Sequence, residues 1–380
     1  MNVDISVIVP TCNGGFRHLR RCLDAVTRQQ NAPAYEVIVV DSSTDDTAAV
    51  PKSFSNCCHV RLAKPALGIA ARGEGIRRAR GKFIAFTDHD CVPELDWLKR
   101  HAELMTHWHD CLGAGGAVTN ASAGNPWGTA DYLLSKFWLG AWYPPSWRYE
   151  VGTENAFFRR ELFDKIRYVG ETKEGISHSF LGDQTKRLGI RLRFEPGIRV
   201  GHINAETEDA FVRHQLFLGS VVADKYIPME KQLTPLSAVL KWSHWRFQHI
   251  ARIWKKMTAA QPDMVETLRA TNDLLGYGCA VFMAGSFGRL SLADRGVVLE
   301  RAAGLQSRIA DRQSAMRLIE HAAHVADHAP TGVLFPEAVR NQNRVGTREW
   351  PVMSFMRAMQ ALLEAEKPHA VVLTVGMGKK

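Results

Sequence analysis

Long apolar runs are missing from this chain. No segment reaches the roughly 18 to 20 uninterrupted apolar residues that a membrane-spanning helix needs. The nearest stretch, residues 274–290, contains four glycines and meets a charge at Arg289. The first residues, MNVDISVIVP, have neither the basic segment nor the cleavage site of a signal peptide. These absences predict no spanning helix and no leader, with residues 274–290 as a buried or membrane-dipping helix.

Paired cysteines are also missing. The seven cysteines are scattered, their number is odd, and no CxxC pair with metal-binding spacing occurs. We therefore predict reduced thiols in a cytoplasmic protein. The first apolar run is not followed by a GxGxxG dinucleotide fingerprint, which argues against a nicotinamide-dependent enzyme.

Positive charge is in excess, but it is not gathered into a recognisable nucleic-acid-binding motif. The 380 residues are 46% hydrophobic and 23% charged, an ordinary globular composition, and the formal net charge is +9. Such a balance fits a nucleic-acid binder, a protein on an anionic membrane, or an enzyme with a phosphate-bearing substrate. Because the motif is missing, we predict no nucleic-acid partner.

The first part of the chain alternates between two patterns. Residues 68–80 have the spacing of a helix, with Gly81 just past its end. Short apolar runs typical of strands occur at residues 5–9, 36–40, 58–62 and 82–87. This alternation predicts an α/β fold with helices on both faces of a parallel sheet, in which ligands bind beyond the carboxyl ends of the strands. The segments that follow a strand directly are residues 10–15, 41–46 and 88–91.

The character of the chain changes after about residue 225. Strand patterns disappear and long helical patterns follow, including residues 292–328 and 353–366. We therefore predict two domains, residues 1–225 and a mostly helical extension over 226–380. Within the extension, residues 241–256 are basic and rich in Trp. This composition suits either an interfacial membrane helix or a helix packed on the first domain with its basic residues in solvent.

Two carboxylates, Asp88 and Asp90, follow the fourth predicted strand. Carboxylates one residue apart at a strand end can face one hard cation, and Mg2+ or Mn2+ takes oxygen ligands and readily shares a diphosphate. An isolated D-x-D is often a solvated acidic turn. Its position after a buried-looking strand of a parallel sheet favours a functional site.

Asp41 and Arg72 are further candidates near the same predicted edge. A carboxylate at a strand end can accept hydrogen bonds from a base or a ribose, whereas alone it is an ordinary Asx-rich turn. Arg72 lies in the predicted helix and is placed to reach a phosphate or a base. Simple surface charge is the interpretation we prefer for three other arginines, Arg77, Arg78 and Arg80.

Three segments in order, ISVIVPTCNGG, EVIVVDSSTDDT and LGIAARGEGIRRARGKFIAFTDHDCVPELDWL, resemble the family 2 glycosyltransferases with the GT-A fold. The resemblance is close from residue 5 to about 98 and looser to about 219. It implies a Rossmann-like, mostly parallel central sheet flanked by helices, with a mainly helical C-terminal region. It also implies inverting transfer from a nucleotide-diphosphate sugar to a hydroxyl acceptor, with Mn2+ or Mg2+ as cofactor.

The acceptor implied by the resemblance is a saccharide, a lipid-linked glycan or a glycoconjugate. The setting would be cell-envelope polysaccharide, glycolipid or glycoconjugate synthesis. Because such acceptors are often lipid-linked, we expect peripheral contact with the cytoplasmic face of a membrane.

Matching positions carry the family's donor-side roles. Asp41 matches the carboxylate that reads the base, and Arg72 an arginine near the nucleotide, although Gly73 stands where the family often has Asn. Asp88 matches the aspartate toward the ribose and metal, and Asp90 the principal metal ligand. The residues that match the nucleoside-contacting loop are Pro10, Thr11 and Asn13.

Two further positions match the acceptor side and the metal. Glu154 and Asn155, within the segment GTEN and upstream of Arg159 and Arg160, resemble the acceptor-side segment. His202 falls where many members have a histidine near the metal and diphosphate. A purely structural role for this histidine stays open.

The catalytic base is where the chain departs from the family. An inverting transfer needs a group that removes the acceptor proton, and the family uses the Asp of a Glu-Asp pair at a helix start. No such pair occurs between Glu174 and Gly189, so either Asp183 or His178 would be the base. The two lie about 140° apart on a helix and cannot face one site. Chemistry favours Asp183, spacing favours His178, and an impaired site is the third possibility.

Two other functions remain open. A sugar-phosphate nucleotidyltransferase usually has a glycine-rich basic loop after its first strand, and here only Gly14, Gly15 and Arg17 are present. A nucleotide-sugar-binding protein without a base would bind the donor with weak or no turnover.

Overall fold

The computed structural model describes residues 3–66, 68–167, 177–226, 233, 235–287 and 289–290. Within them, the strands are β1 Ile5–Thr11, β2 Tyr35–Asp41, β3 Cys57–Arg61, β4 Phe83–Phe86, β5 Cys91–Pro93, β6 Gly113–Asn120, β7 Ser146–Arg148, β8 Ala156–Arg159 and β9 Leu192–His202. The α-helices are α1 Phe16–Val26, α2 Gly68–Arg78, α3 Trp97–His107, α4 Pro126–Lys136, α5 Leu162–Lys165, α6 Ser177–Arg187, α7 Glu208–Tyr226, α8 Pro235–Ala260 and α9 Val265–Phe287.

The strands form one sheet in the order β3-β2-β1-β4-β8-β6-β9-β5, with β7 paired to β9. The pairs among β3, β2, β1 and β4 are parallel, whereas β8 pairs antiparallel with both β4 and β6. The predicted α/β class, with a central sheet flanked by helices and a helical C-terminal region, is confirmed. The sheet is mixed, because its second half contains antiparallel pairs.

The first strands form because their side chains are apolar on both faces. All seven residues of β1 are buried. Val7 and Val9 belong to the hydrophobic cluster on one face, and Ile8 belongs to the cluster on the other. Burial on both faces is typical of parallel strands covered by helices. The pairing places Thr11 beside Asp41, so the loops after β1 and β2 leave the sheet together.

Three strands, β5, β6 and β7, were not foreseen from the sequence. The residues of β6, GAGGAVTN, are small and lack β-branched and aromatic side chains apart from Val118 and Thr119. The short β5 also escaped prediction. β6 forms because it lies between β8 and β9 in the sheet.

β9 is one continuous strand, although Pro196 lies inside it. Its pairing with β6 shifts at this point, since Gly116 is opposite Glu195 and Ala117 is opposite Arg199. Pro196 therefore lies in a bulge, where its missing N–H is not needed by the ladder. The bulge thus accommodates the proline within one strand.

The contacts divide the chain into two compact units. One contains residues up to Glu208 together with Lys255–Thr271, and the other contains Asp209–Trp254 together with the described residues from Asn272 on. The predicted boundary between residues 225 and 226 stays a prediction. The predicted helices 292–328 and 353–366 lie outside the described residues.

The second unit is helical, and its helices approach closely. A Cβ on Gly219 of α7 would lie 1.9 Å from the carbonyl oxygen of Phe282, and one on Gly285 would lie 2.2 Å from that of Leu216. Glycine therefore allows the backbones of α7 and α9 to touch, and much of the stretch 274–290 is buried. None of the described helices is both long and apolar enough to cross a bilayer.

Candidate functional site

Asp90 and His202 meet although they are far apart in the chain. β5 pairs antiparallel with the end of β9, and Cys91 lies opposite His202 in this pairing. The backbone N–H of Ile203 also donates to the carbonyl oxygen of Asp90 at 2.9 Å. As a result, His202 Nε2 lies 3.6 Å from Asp90 Oδ2.

A hydrogen-bond network orients the ring of His202. Its Nδ1 lies 2.9 Å from Asn204 Oδ1. The amide nitrogen of Asn204 donates to Asn120 Oδ1 at 2.8 Å and to the carbonyl oxygen of His202 at 2.9 Å, so the amide oxygen must be the acceptor at the ring. Nδ1 therefore donates to Asn204, and Nε2 faces Asp90, the orientation found for metal-ligating histidines.

Three potential metal-ligand atoms cluster here. Those of Asp90, Cys91 and His202 all lie within 4.8 Å of one another. Burial, together with the charges of Asp90 and Asp88, raises the pKa of the Cys91 thiol well above its usual value. A protonated thiol is a poor ligand for a hard cation, so the carboxylate and the imidazole are the groups that fit Mn2+ or Mg2+.

The two carboxylates of the acidic triplet, Asp88-His89-Asp90, differ in the charges that surround them. Burial alone would raise the pKa of Asp90, but His202, His89 and Lys136 outweigh it and hold the pKa at about 2. For Asp88, burial dominates and raises the pKa, against the opposing effect of Arg72. Asp90 is therefore the carboxylate that stays ionised most readily.

Arg72 is buried rather than a surface charge. Its side chain is 3% exposed, and its guanidinium forms an ion pair with Asp88 Oδ1. The guanidinium carbon lies 5.6 Å from the centre of the Phe86 ring. Asp88 is thereby held toward Arg72, and it is not in the cluster with Asp90, Cys91 and His202. The three neighbouring arginines have exposed side chains and pair with Glu74 or Glu36, as predicted for surface charges: Arg77, Arg78 and Arg80.

Asp41 is completely buried at the end of β2. Its Oδ1 accepts a hydrogen bond from the backbone N–H of Ser43 at 2.8 Å, and its Oδ2 lies 2.9 Å from His59 Nε2 and 2.7 Å from an Arg61 Nη. Burial raises the pKa of Asp41, but these hydrogen bonds outweigh it and lower the pKa. His59 and Arg61 were missed from the sequence. The sequence feature that could have revealed them is their spacing of two residues at the end of β3, which places both side chains on the same face of the sheet.

The loop after β1 closes the same edge. Asn13 has a positive φ of 51°, its N–H donates to Ser43 Oγ at 2.9 Å, and its Oδ1 accepts from the N–H of Thr44 at 2.7 Å. A Cβ on Gly14 would lie 2.1 Å from the ring of His89. The loop therefore joins the segment after β2 to the acidic triplet after β4. Pro10 lies at the buried end of β1.

A comparison with protein families agrees with this geometry. The family described as "Glycosyl transferase family 2" matches residues 6–167. This range contains all three loops at the strand ends. Residues 6–167 are therefore similar to glycosyl transferase family 2.

Curated relatives carry glycosyltransferase names. Glycosyltransferase AglE of Haloferax volcanii is 37% identical over 108 residues, which is 27% of this chain and 35% of that protein. Glycosyltransferase GlyA of Streptococcus pneumoniae is 33% identical over 234 residues, which is 60% of this chain and 30% of that protein. The chain thus spans only about a third of the length of these relatives.

Among solved structures, the chain resembles the mannosyltransferase PcManGT from Pyrobaculum calidifontis in complex with GDP-Man and Mn2+. The identity is 18% and the TM-score is 0.45, with 85% of this chain and 86% of that chain covered.

The segment that matches this family also contains a buried ion pair. Glu154 is almost fully buried, and its Oε1 contacts Nζ of Lys136 at the end of α4. Burial opposes the charge of Lys136, yet Glu154, Asp88 and Asp90 raise its pKa well above the usual value. Lys136 was missed because a lysine in the last turn of a helix resembles an ordinary surface charge.

Asn155 lies in the core and not at an open surface. Its Oδ1 accepts from Trp97 Nε1 at 2.8 Å and lies 3.0 Å from His101 Nε2. Its Nδ2 donates to the carbonyl oxygens of Ala117 at 2.8 Å and Ile198 at 3.1 Å. All four hydrogen-bonding positions of the amide are engaged, so contact with an acceptor would require one of them to break.

The two candidate bases lie on α6. Asp183 is half-buried, and the helix is attached to the rest of the domain where Thr185 Oγ1 donates to the carbonyl oxygen of Tyr149. The side chain of His178 and residue Glu174 lie outside the described residues. Asp183 is in the second turn of the described helix, which already includes Ser177. The choice of base stays a prediction.

Proposed function

We propose that this family 2 domain transfers a sugar from a nucleotide-diphosphate donor to an acceptor hydroxyl. One observation carries the proposal. The loops after β1 and β2 and the triplet after β4 converge at one edge of the sheet, joined by Asn13 with Ser43 and by Gly14 with His89. Ligands bind at this edge in open α/β sheets.

Different residues at this edge bind different parts of the donor. Asp90 and His202 would hold Mn2+ or Mg2+, which when bound neutralises charge on the leaving diphosphate. Arg72 holds Asp88, which orients the ribose and the metal side of the donor. Asp41 accepts hydrogen bonds from the base. The loop that contacts the nucleoside contains Pro10, Thr11 and Asn13.

The hydroxyl group of Thr11 supports the binding of a polar ligand at this edge of the sheet. Its Oγ1 is buried and has no hydrogen-bond partner among the described residues. A buried hydroxyl without a partner costs free energy, and a ligand group can remove this cost. Because Thr11 pairs with Asp41 in the sheet, this ligand group would belong to the nucleoside.

The transfer would proceed with inversion. The acceptor oxygen attacks the anomeric carbon, the bond from that carbon to the phosphate oxygen breaks, and the nucleoside diphosphate leaves. The acceptor proton passes to Asp183 or His178. The position of Asp183 in the second turn of α6 supports His178 on spacing, because the family's base lies at a helix start. Glu154, ion-paired with Lys136, is the acceptor-side residue that lies toward the triplet.

The proposal also includes the acceptor and the cellular process in which it is used. We take the acceptor to be a saccharide, a lipid-linked glycan or a glycoconjugate of the cell envelope. The basic, Trp-rich part of α8 supports peripheral membrane contact of the helical region. The cytoplasmic location stays a prediction.

The test is calorimetric titration of the full chain with UDP-, GDP- and dTDP-sugars in the presence of Mn2+. We expect at least one donor to bind, and Asp90→Ala to abolish the metal-dependent part of the binding. Asp110→Ala removes an equally charged side chain that is 93% exposed, and it should bind the donor normally. Absence of binding to all three donors, or binding unchanged in Asp90→Ala, would falsify the proposal.

A second candidate function is donor binding without turnover. The absence of a Glu-Asp pair near α6 favours it. It predicts that the donor binds while no nucleoside diphosphate is released even with extracts that contain acceptors. A nucleotidyltransferase would instead release pyrophosphate from a nucleoside triphosphate and a sugar phosphate.

A further inference from the structure

Helix α8 contains basic residues and no acidic ones. It spans 26 residues and contains no Asp or Glu. The helices before and after it, α7 and α9, both contain acidic residues. The basic excess is therefore a property of α8. Its cations are Lys241, Arg246, Arg252, Lys255 and Lys256.

One face of α8 points into the helical unit. Ala238, Val239 and Ile253 are at most 1% exposed. Arg246 is on this inward face as well, because it donates to Gln215 Oε1 at 2.7 Å, and its guanidinium carbon lies 4.8 Å from the centre of the Phe282 ring. One of the cations is therefore used inside the unit. The buried side of the helix also fixes which residues face outward.

The outward face is a straight row of exposed residues. Trp245 is 44% exposed, and the guanidinium carbon of Arg252 lies 4.9 Å from the centre of its ring. Positions i, i+4, i+7 and i+11 fall within about 60° of one another around a helix. We call this row the α8 stripe, and its members are Lys241, Trp245, Gln248 and Arg252.

We propose that the α8 stripe docks on the headgroups of an anionic membrane, with the ring of Trp245 in the interfacial layer. Charge complementarity supports this partner, because the row presents two cations and no carboxylate. Tryptophan prefers the membrane interface, and basic residues are attracted to anionic lipid. Because Trp245 is the one large apolar side chain in the row, the helix would lie on the membrane surface and would not insert into the bilayer. The inference rests on the proposed peripheral membrane contact and is independent of the proposed sugar transfer.

Vesicle co-sedimentation of the full chain tests the inference. We expect binding to vesicles of phosphatidylcholine mixed with phosphatidylglycerol, little binding to phosphatidylcholine alone, and loss of binding in 1 M salt, where the Debye length is about 3 Å. Lys241→Gln combined with Arg252→Gln should weaken binding on the order of 25-fold, since each cation near the surface contributes about fivefold. Trp245→Ala should reduce the blue shift of tryptophan emission on vesicle addition.

The matched control is Lys52→Gln combined with Lys165→Gln. Both residues are exposed in the other unit, so this variant removes equal charge away from the stripe. It should bind vesicles within about twofold of the unchanged protein, because only cations near the membrane contribute. Equal loss in the two double variants would overturn the inference. Equal sedimentation with neutral and anionic vesicles would also overturn it, as would retention by an oligonucleotide through the stripe without vesicle binding.

Donor titration of the same variants separates the two proposals. Unchanged donor binding in the stripe variant, together with lost vesicle binding, supports the stripe alone. If the wild-type protein binds no donor, the proposed transfer reaction is contradicted. The vesicle result would still support membrane docking of the stripe.

Discussion

The two halves of the sheet contribute to one edge in different ways. In the parallel half, β1, β2 and β4 each end directly in a site segment, so the functional residues follow the strands in the sequence. In the antiparallel half, His202 reaches Asp90 only because β9 lies between β6 and β5. Local sequence is enough to build the first kind of site, whereas the second depends on the pairing of distant strands.

Among the tests of this difference, Arg72→Met is expected to have the largest effect. The parallel half relies on the buried pair of Arg72 with Asp88, and removing one partner of such a pair costs about 3–5 kcal/mol. We expect this loss of unfolding free energy in urea denaturation, together with weaker donor binding. Arg77→Met is the control, because its ion pair is exposed and contributes less than about 1 kcal/mol. Equal losses in both variants would contradict the buried role of Arg72.

The antiparallel half can be tested through the pH dependence of its core. Burial lowers the pKa of His101 to about 4 from 6.5, and the hydrogen bond to Asn155 only partly opposes this effect. The folded protein therefore holds the neutral ring, so stability is complete above pH 6.5 and falls as the pH drops toward 4. The loss from this group is about 3 kcal/mol, at 1.36 kcal/mol for each unit of pKa difference.

Urea unfolding at several pH values between 4 and 7 measures this loss. His101→Leu should flatten the dependence in this window, even if the variant is less stable at pH 7. His109→Leu is the control, because that ring is 81% exposed and should leave the slope unchanged. A slope that persists in His101→Leu would show that other groups cause it.

The smallest effect is expected at Asn204. Its side chain fixes the tautomer of His202, and loss of such a partner typically weakens metal binding about 10- to 100-fold. We expect Asn204→Leu to raise the dissociation constant of Mn2+ by this factor in calorimetry. Asn56→Leu changes an exposed asparagine and should bind Mn2+ normally. Unchanged affinity in Asn204→Leu would mean that His202 is not a ligand.

The local parts of the fold could be predicted from sequence. The strand pattern at residues 5–9 corresponds to β1, and the helix pattern at 68–80 corresponds to α2. Both are apolar periodicities that depend on the segment itself. The family 2 resemblance followed from the same segments. β6 was not predictable, because its small residues form a strand only between the neighbours that pair with it.

Side-chain roles that depend on distant partners were harder to predict. Lys136 is buried because Glu154 is opposite it, and Arg61 is engaged because β3 lies beside Asp41. Asn155 was assigned to the acceptor side from its motif, yet its amide joins α3, β6 and β9 in the core. Motifs identify positions, and only the pairing of strands determines where each side chain points.

The bulge at Pro196 has a consequence for how the domain can vary over evolution. The part of β9 before it pairs with β7, whereas the part after it pairs with β5 and carries His202. Because pairing with β6 is interrupted between these parts, a change of length in the first part need not be transmitted to the second. The strand is therefore modular. Its first part can change in length without moving the histidine end out of register with Asp90.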